Sequence, residues 1–281
     1  MLSGTARIAG IMGAPVRHSR SPRLHGYWLE RYGIDGAYLP LAVAPEDLAA
    51  ALHALPKLGF SGVNLTVPHK EAALRYMSEL TATAQRIGAV NTVVVGADGR
   101  LAGDNTDAFG FIENLRETAP RWRADAGPAV VLGAGGAARA VAVALADAGV
   151  GELRVVNRTM ARAETLATDL GGPLTAQPWE ARNTALDGAR LLVNATSLGM
   201  AGQPVLDIDL AGLAGDAVVA DIVYVPLTTA LLAAATERGL ATVDGLGMLL
   251  HQARPGFAAW FGVEPAVTAE LRAFMRADLG A

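Results

Sequence analysis

The sequence predicts an α/β protein of two domains, the second built on a doubly wound parallel sheet, with the last helices packing back on the first domain. Three observations carry this. Short apolar runs alternate with helix-forming segments over most of the chain, the pattern of parallel strands joined by helical crossovers. One of these units joins strand to helix through a glycine-rich turn. A length of 281 residues, 52% of them hydrophobic, is enough for two cores of ordinary size.

In order, the first hundred residues show a strand at 7–11, a helix after Pro22, a strand at 37–43, a helix after Pro45 and a strand at 62–67. A helical segment after Pro68 leads to a strand at 91–95. Asp98-Gly99 then marks a hairpin turn into residues 100–103. A helix begins at Thr106, and the Pro- and Gly-containing stretch 119–128 leads to an apolar strand at 129–132. A helix at 139–148 stops at Gly149, and strand 153–156 and helix 159–170 follow. Strands at 190–193, 218–221 and 241–243, with a helix at 228–238, complete the second sheet. Residues from 246 are helical through 261 and again after Pro265. The expected division is 1–107, 108–245 and 246–281, the last segment completing the first domain because it carries too few strands to stand alone.

The turn Gly133-Ala134-Gly135-Gly136-Ala137-Ala138 has the spacing G-x-G-x-x-A. Gly133 allows the tight turn, Gly135 lets the backbone approach a pyrophosphate, and Ala138 is small enough for close helix–strand packing. The helix start then offers free N–H groups and a positive dipole end. The next strand ends in Asn157-Arg158-Thr159, where a site for NAD would show a carboxylate on the ribose. Arg158 and, four residues on, Arg162 instead suit a 2′-phosphate, so the expected cofactor is NADP(H). The competing reading is that both arginines are ordinary solvated charges. An S-adenosylmethionine site would also want a carboxylate there.

The formal charge of −4 offers no basic footprint for nucleic acid. No signal-peptide pattern opens the chain and no stretch approaches eighteen apolar residues, so a cytoplasmic protein without a membrane span is expected. The absence of cysteine excludes disulfides and thiolate chemistry, and the five histidines lack metal-ligand spacing, so no metal is expected.

Four polar clusters sit at element ends in the first domain. In His18-Ser19-Arg20-Ser21-Pro22, Ser21 reads as a helix N-cap with Pro22 at the first helical position, which leaves Ser19 unexplained. In Asn64-Leu65-Thr66-Val67-Pro68-His69-Lys70, Thr66 is a possible cap. Lys70 falls in the first helical turn, where the dipole disfavours a cation by roughly 0.3–1 kcal/mol. That field would lower the lysine's proton affinity towards a value useful for proton transfer, and such a broken local rule is expected at a functional site. The bland alternative is a solvated lysine paired with Glu71. Asp107, at a helix start, suits either structural or catalytic work, and Asn91 in Ala89-Val90-Asn91-Thr92 could bond its own backbone.

With these residues the chain resembles the shikimate dehydrogenase family. The clusters above, Asn105-Thr106-Asp107, the glycine turn, Asn157-Arg158-Thr159, Asn194-Ala195-Thr196-Ser197-Leu198-Gly199-Met200, Asp221-Ile222-Val223-Tyr224-Val225-Pro226 and Gly245-Leu246-Gly247-Met248-Leu249-Leu250-His251-Gln252 stand in the family's order over nearly the whole chain. The resemblance implies an N-terminal substrate domain, a Rossmann domain for NADP, and the reversible reduction of 3-dehydroshikimate to shikimate in aromatic amino-acid biosynthesis. By matching position, it implies Ser19, Ser21, Thr66, Lys70, Asn91, Asp107, Tyr224 and Gln252 as substrate contacts, with Lys70 and Asp107 the catalytic pair. Gly133, Ala134, Gly135, Gly136 and Ala137 would hold the pyrophosphate, Asn157, Arg158, Thr159 and Arg162 the 2′-phosphate, and Ile222 and Gly245 the nicotinamide side. A monomer or homodimer is expected. Gly26, Leu65 and Ala82 depart from the family pattern, and Ala82 puts in doubt any cofactor contact from that position. The rivals are a quinate/shikimate dehydrogenase using NAD and a non-catalytic sensor of NADP and a metabolite.

Overall fold

The computed structural model describes residues 2–279, which fold as two compact units: 2–106 with 252–275, and 107–251 with 276–279. The first unit contains β1 (Arg7–Gly13), α1 (Ser21–Arg31), β2 (Gly36–Ala42), α2 (Leu48–Ala54), β3 (Phe60–Leu65), α3 (His69–Ala72), β4 (Glu79–Leu80), α4 (Ala82–Ile87), β5 (Thr92–Val95) and β6 (Leu101–Asp104). The sheet order is β2-β1-β3-β5-β6-β4. β1 pairs in parallel with β2 and β3, and β5 runs antiparallel to β3 and β6. The β5–β6 hairpin turns at Asp98-Gly99 as expected, with Asp98 Oδ1 accepting from the Arg100 N–H at 3.0 Å.

The second unit contains α5 (Asp107–Thr118), β7 (Ala129–Leu132), α6 (Gly136–Asp147), β8 (Leu153–Asn157), α7 (Met160–Leu170), β9 (Leu174–Pro178), β10 (Leu191–Asn194), β11 (Val218–Asp221), α8 (Ala230–Glu237) and β12 (Ala241–Val243). Its six strands are all parallel in the order β12-β11-β10-β7-β8-β9. Numbered within the unit this is 3-2-1-4-5-6 read from the β9 edge, the doubly wound order whose switch point lies between β7 and β10. Such strands are covered on both faces, so they are apolar runs rather than alternating ones: all of β7 and β10 is buried. β9 was not expected from the sequence. It is an edge strand flanked by Pro173 and ending at Pro178, and its alternating polar residues hide it among turn signals.

Two further helices, α9 (Gly245–Phe261) and α10 (Ala269–Asp278), contribute residues to both units. Within the first unit, Trp260 and Phe257 of α9 join Trp28, and the Trp260 indole donates to the Val93 carbonyl at 3.0 Å. Among the described residues, no helix is long and apolar enough to cross a membrane and no His/Cys/Asp/Glu group could hold a metal ion.

Candidate active site

In the first unit, the carboxyl ends of the parallel strands β1 and β3 carry two loops that are tied together. Thr66 N–H donates to the Met12 carbonyl at 3.0 Å and Ala14 N–H to the Val67 carbonyl at 3.1 Å. Strand ends of this kind are where ligands bind in α/β sheets. Ser19 and Ser21 follow β1; Thr66 and Lys70 follow β3. The expected capping roles are not observed. α1 starts one residue earlier than predicted, so Arg20 is the N-cap and Ser21 the first helical residue. The hydroxyl of Ser19, not Ser21, accepts the Ser21 N–H at 3.2 Å. Ser21 is buried. Thr66 caps nothing, because Pro68 stands at the N-cap of α3. That helix is a single α turn continuing into a short 3-10 segment, so the aligned dipole invoked for Lys70 is only one turn long. The Lys70 backbone is tied to the sheet side of the loop: its carbonyl accepts the Val90 N–H at 2.8 Å.

Asn91 is 2% exposed. Its amide oxygen accepts from Thr106 N–H at 2.9 Å, from the Thr106 hydroxyl at 3.2 Å and from the Thr92 hydroxyl at 2.9 Å, rather than closing on its own backbone. Thr106 is therefore fixed, and Asp107, its covalent neighbour, begins α5 as a buried carboxyl. Asn64, also buried, accepts from the Tyr38 phenol at 2.6 Å and donates to the Asn91 carbonyl at 3.0 Å and the Thr92 hydroxyl at 3.1 Å. Burial holds the Tyr38 phenol well above its usual range, so it keeps its proton. His25 lies flat on the Tyr38 ring, centroids 3.9 Å apart and planes 2° apart. Burial lowers the imidazole pKa to about 3, and it is neutral.

In the second unit, the turn after β7 has the form predicted. Gly133 has φ 108°, and a side chain there would crowd the Ala195 carbonyl. Gly135 is the N-cap of α6, and a Cβ on it or on Gly136 would meet open space, so no protein atom crowds the helix start at these two glycines. Ala138 is fully buried against the sheet. Beyond β8, Asn157 donates from its side chain to the Thr159 carbonyl at 2.9 Å, which shapes the turn. Arg158 and Arg162 are exposed, without an ion pair or hydrogen bond from either guanidinium among the described residues.

β10 and β11 end in a buried polar cluster. Asn194 donates to Asp221 Oδ1 and to the Leu198 carbonyl, both at 3.0 Å. Asp221 also accepts from Val223 N–H at 3.0 Å and from Thr229, the N-cap of α8, at 2.7 Å. Burial raises the Asp221 carboxyl pKa, against which these three hydrogen bonds act. The cluster shapes the segment bearing Ile222 and Tyr224. A side chain at Gly245 would collide with the Ile222 carbonyl, so the start of α9 lies hard against that segment.

The structure thus brings Ser19, Ser21, Thr66, Lys70 and Asn91 into the first unit, which also holds the buried Gln252. It brings Asp107, the glycine turn, residues 157–162, Ile222, Tyr224 and Gly245 into the second. Sequence reasoning assigned no role to Tyr38 or His25 and did not single out the Asp221 cluster. A carboxylate closing the apolar run Val218-Val219-Ala220 was the signal for the last; Tyr38 left none.

Residues 11–93 match the family described as shikimate dehydrogenase substrate binding domain, and residues 119–207 that described as shikimate / quinate 5-dehydrogenase. The chain is 64% identical over 274 residues to the shikimate dehydrogenase (NADP(+)) of Paramagnetospirillum magneticum, covering 98% of this chain and 99% of that one. Among solved structures, the shikimate 5-dehydrogenase of Thermus thermophilus in complex with NADP(H) and shikimate is 41% identical, with a TM-score of 0.85, over 96% of this chain and 99% of that one. The quinate dehydrogenase of Corynebacterium glutamicum in complex with NAD is 33% identical, with a TM-score of 0.90, over 97% and 99%. The chain belongs to the NADP-dependent shikimate dehydrogenase family of oxidoreductases.

Proposed function

We propose that the chain catalyses the reversible reduction of 3-dehydroshikimate to shikimate with NADPH, a step of aromatic amino-acid biosynthesis, and that Lys70 and Asp107 handle the proton. The observation that carries the cofactor choice is the pair Arg158 and Arg162: exposed cations just beyond β8, where selection for NAD would place a carboxylate. The uncrowded start of α6 fits a pyrophosphate, cradled by Gly133, Ala134, Gly135, Gly136 and Ala137, while Asn157 and Thr159 shape the loop for the 2′-phosphate. Ile222 and Gly245 would flank the nicotinamide. When bound, the cofactor supplies the hydride.

The residues of the chain do the rest. Hydride addition to the ketone carbon leaves a negative oxygen; the Lys70 ammonium gives it a proton, and in the oxidative direction the neutral amine takes that proton back. Asp107 orients the lysine and accepts from a neighbouring ring hydroxyl. Ser19, Ser21, Thr66, Asn91, Tyr224 and Gln252 hold the remaining hydroxyls and the carboxylate. General acid–base help is typically worth about 10²–10⁴-fold, or roughly 3–5 kcal/mol of barrier. Lys70→Ala should lower kcat by that order with a far smaller change in KM, and near-normal turnover would take Lys70 out of the mechanism.

The deciding assay compares kcat/KM for shikimate with NADP⁺ against quinate with NAD⁺. Preference for the first pair is expected from Arg158 and Arg162 and from the serine pair. Preference for the second would make the enzyme a quinate/shikimate dehydrogenase, and binding without turnover would make it a sensor.

A further inference from the structure

We propose that Asn194 is a positioning residue for the cofactor: its side-chain amide fixes the loop packed on the glycine turn and, through Asp221, the segment that carries Ile222. The inference rests on reading the glycine turn and Ile222 as cofactor contacts and adds a residue that touches no ligand in that reading.

Asn194 closes β10 and is fully buried. Both ends of its amide are saturated. The oxygen accepts from the Thr196 N–H at 3.1 Å and from the Thr196 hydroxyl at 2.7 Å. The nitrogen donates to the Leu198 carbonyl and to Asp221 Oδ1, both at 3.0 Å. A backbone N–H only donates and a backbone carbonyl only accepts, so Thr196 and Leu198 between them fix which end is oxygen. The Thr196 hydroxyl, its proton spent on Asn194, accepts the Leu198 N–H at 3.1 Å, and residues 194–198 are closed on themselves. An aspartate in place of Asn194 would keep the oxygen side and lose both donors, setting a second carboxylate against Asp221.

β7 and β10 are the neighbours at the switch point of the sheet, where dinucleotides bind in doubly wound folds. The turn after β7 and the loop after β10 touch. A side chain on Gly133 would come within 3.0 Å of the Ala195 carbonyl and 3.3 Å of Thr196 Cγ2, so a displacement of residues 195–196 is transmitted to the glycine turn. On the other side, the Asn194 carbonyl accepts the Ile222 N–H at 3.1 Å, and the Asp221 oxygen that Asn194 meets also accepts the Val223 N–H at 3.0 Å. Farther along, the Ala201 N–H donates to the Val225 carbonyl at 2.8 Å, which ties the same two segments a second time. One buried amide thus sets the loop against the pyrophosphate turn and the backbone at Ile222 together.

The test is steady-state kinetics on the full chain with Thr196→Val, Asn194→Asp and Gly135→Ala, reading the KM for NADP⁺ and the inhibition constant of 2′-AMP against NADP⁺. 2′-AMP carries the adenosine and its 2′-phosphate but neither pyrophosphate nor nicotinamide, so a defect confined to the loop and to Ile222 leaves its binding unchanged. Thr196→Val is expected to raise the NADP⁺ KM about 3- to 10-fold, and Asn194→Asp by about 10-fold or more, with the 2′-AMP constant of wild type in both. A wild-type NADP⁺ KM in either variant, or a parallel rise in the 2′-AMP constant, would overturn the proposal. Near-UV circular dichroism checks the fold, and if Asn194→Asp does not fold, Thr196→Val decides alone. Gly135→Ala tests the underlying reading, because its methyl meets no protein atom yet stands where a pyrophosphate would lie. A raised NADP⁺ KM there beside wild-type values in Thr196→Val removes only the role of Asn194; a wild-type KM in Gly135→Ala removes the glycine-turn reading and this inference with it.

Discussion

Both sheets bury a polar cluster at or near their strand ends, yet the two are made of different chemistry. In the first unit, Tyr38, Asn64, Thr92, Asn91 and Thr106 are all neutral: Tyr38 donates to Asn64, Asn64 to Thr92, and both Thr92 and Thr106 to the Asn91 amide oxygen. In the second, Asn194, Thr229 and the Val223 N–H converge on one carboxyl, Asp221. A chain of neutral groups sets the direction of hydroxyls and side-chain amides. A carboxyl that accepts three donors sets the path of the backbone around it, which is what shaping the Ile222–Tyr224 segment needs. The contrast separates a cluster built for orientation from one built for anchorage.

The comparison breaks most directly at Asp221. Asp221→Ala takes the carboxyl acceptor from three buried donors, each worth about 1–3 kcal/mol, so a loss of roughly 3–9 kcal/mol in urea unfolding is expected. A loss below about 1 kcal/mol would mean that the cluster anchors nothing. Next in size is the 2′-phosphate contact. Arg158→Ala with Arg162→Ala should raise the NADP⁺ KM by about 10- to 100-fold while leaving the NAD⁺ KM nearly unchanged, because two charge-assisted contacts of roughly 1–3 kcal/mol disappear for one cofactor only. Equal effects on both cofactors would return the arginines to the status of surface charges.

The last test sharpens the first unit. His25 has no hydrogen-bond partner on either ring nitrogen, and its pKa is lowered from 6.5 to about 3. The folded state therefore disfavours the proton that the unfolded chain binds below 6.5. The stability associated with neutral His25 is complete above 6.5 and falls as pH drops towards 3, by about 1.4 kcal/mol per pH unit. His25→Phe keeps a ring on Tyr38 and removes this sensitivity. Its stability relative to wild type should rise through that window when urea midpoints are compared, and a constant difference from pH 7 to 4 would show that the imidazole titrates normally.

The two units also differed in how far they could be read from sequence. Strands β7, β8, β10, β11 and β12 announce themselves as apolar runs, and the glycine turn stands where the sequence predicted it, between β7 and α6. Ser21 and Thr66 were misread as caps because a cap is a local pattern, whereas the helix starts fall elsewhere, with Arg20 at the N-cap of α1 and Pro68 at that of α3. Tyr38 and Asn64 are 26 residues apart and meet only because β1 pairs with β2 on one side and with β3 on the other. Spacing rules describe neighbours on one element, so a chain of side chains across three strands leaves no periodic trace. β9 was missed for the opposite reason, since its prolines imitate a loop.

The first unit is not contiguous: it needs residues 252–275, more than a hundred positions after its own sheet is complete. On the ribosome, the strand bearing Val93 emerges long before the Trp260 indole that occupies its carbonyl, and the plate of His25 waits equally long for Phe257. The glycine-turn unit has all six of its strands in hand first. The discontinuous unit is thus the last to mature during synthesis, and a nascent chain can complete the all-parallel sheet of the second unit before the aromatic residues that close the first have been made.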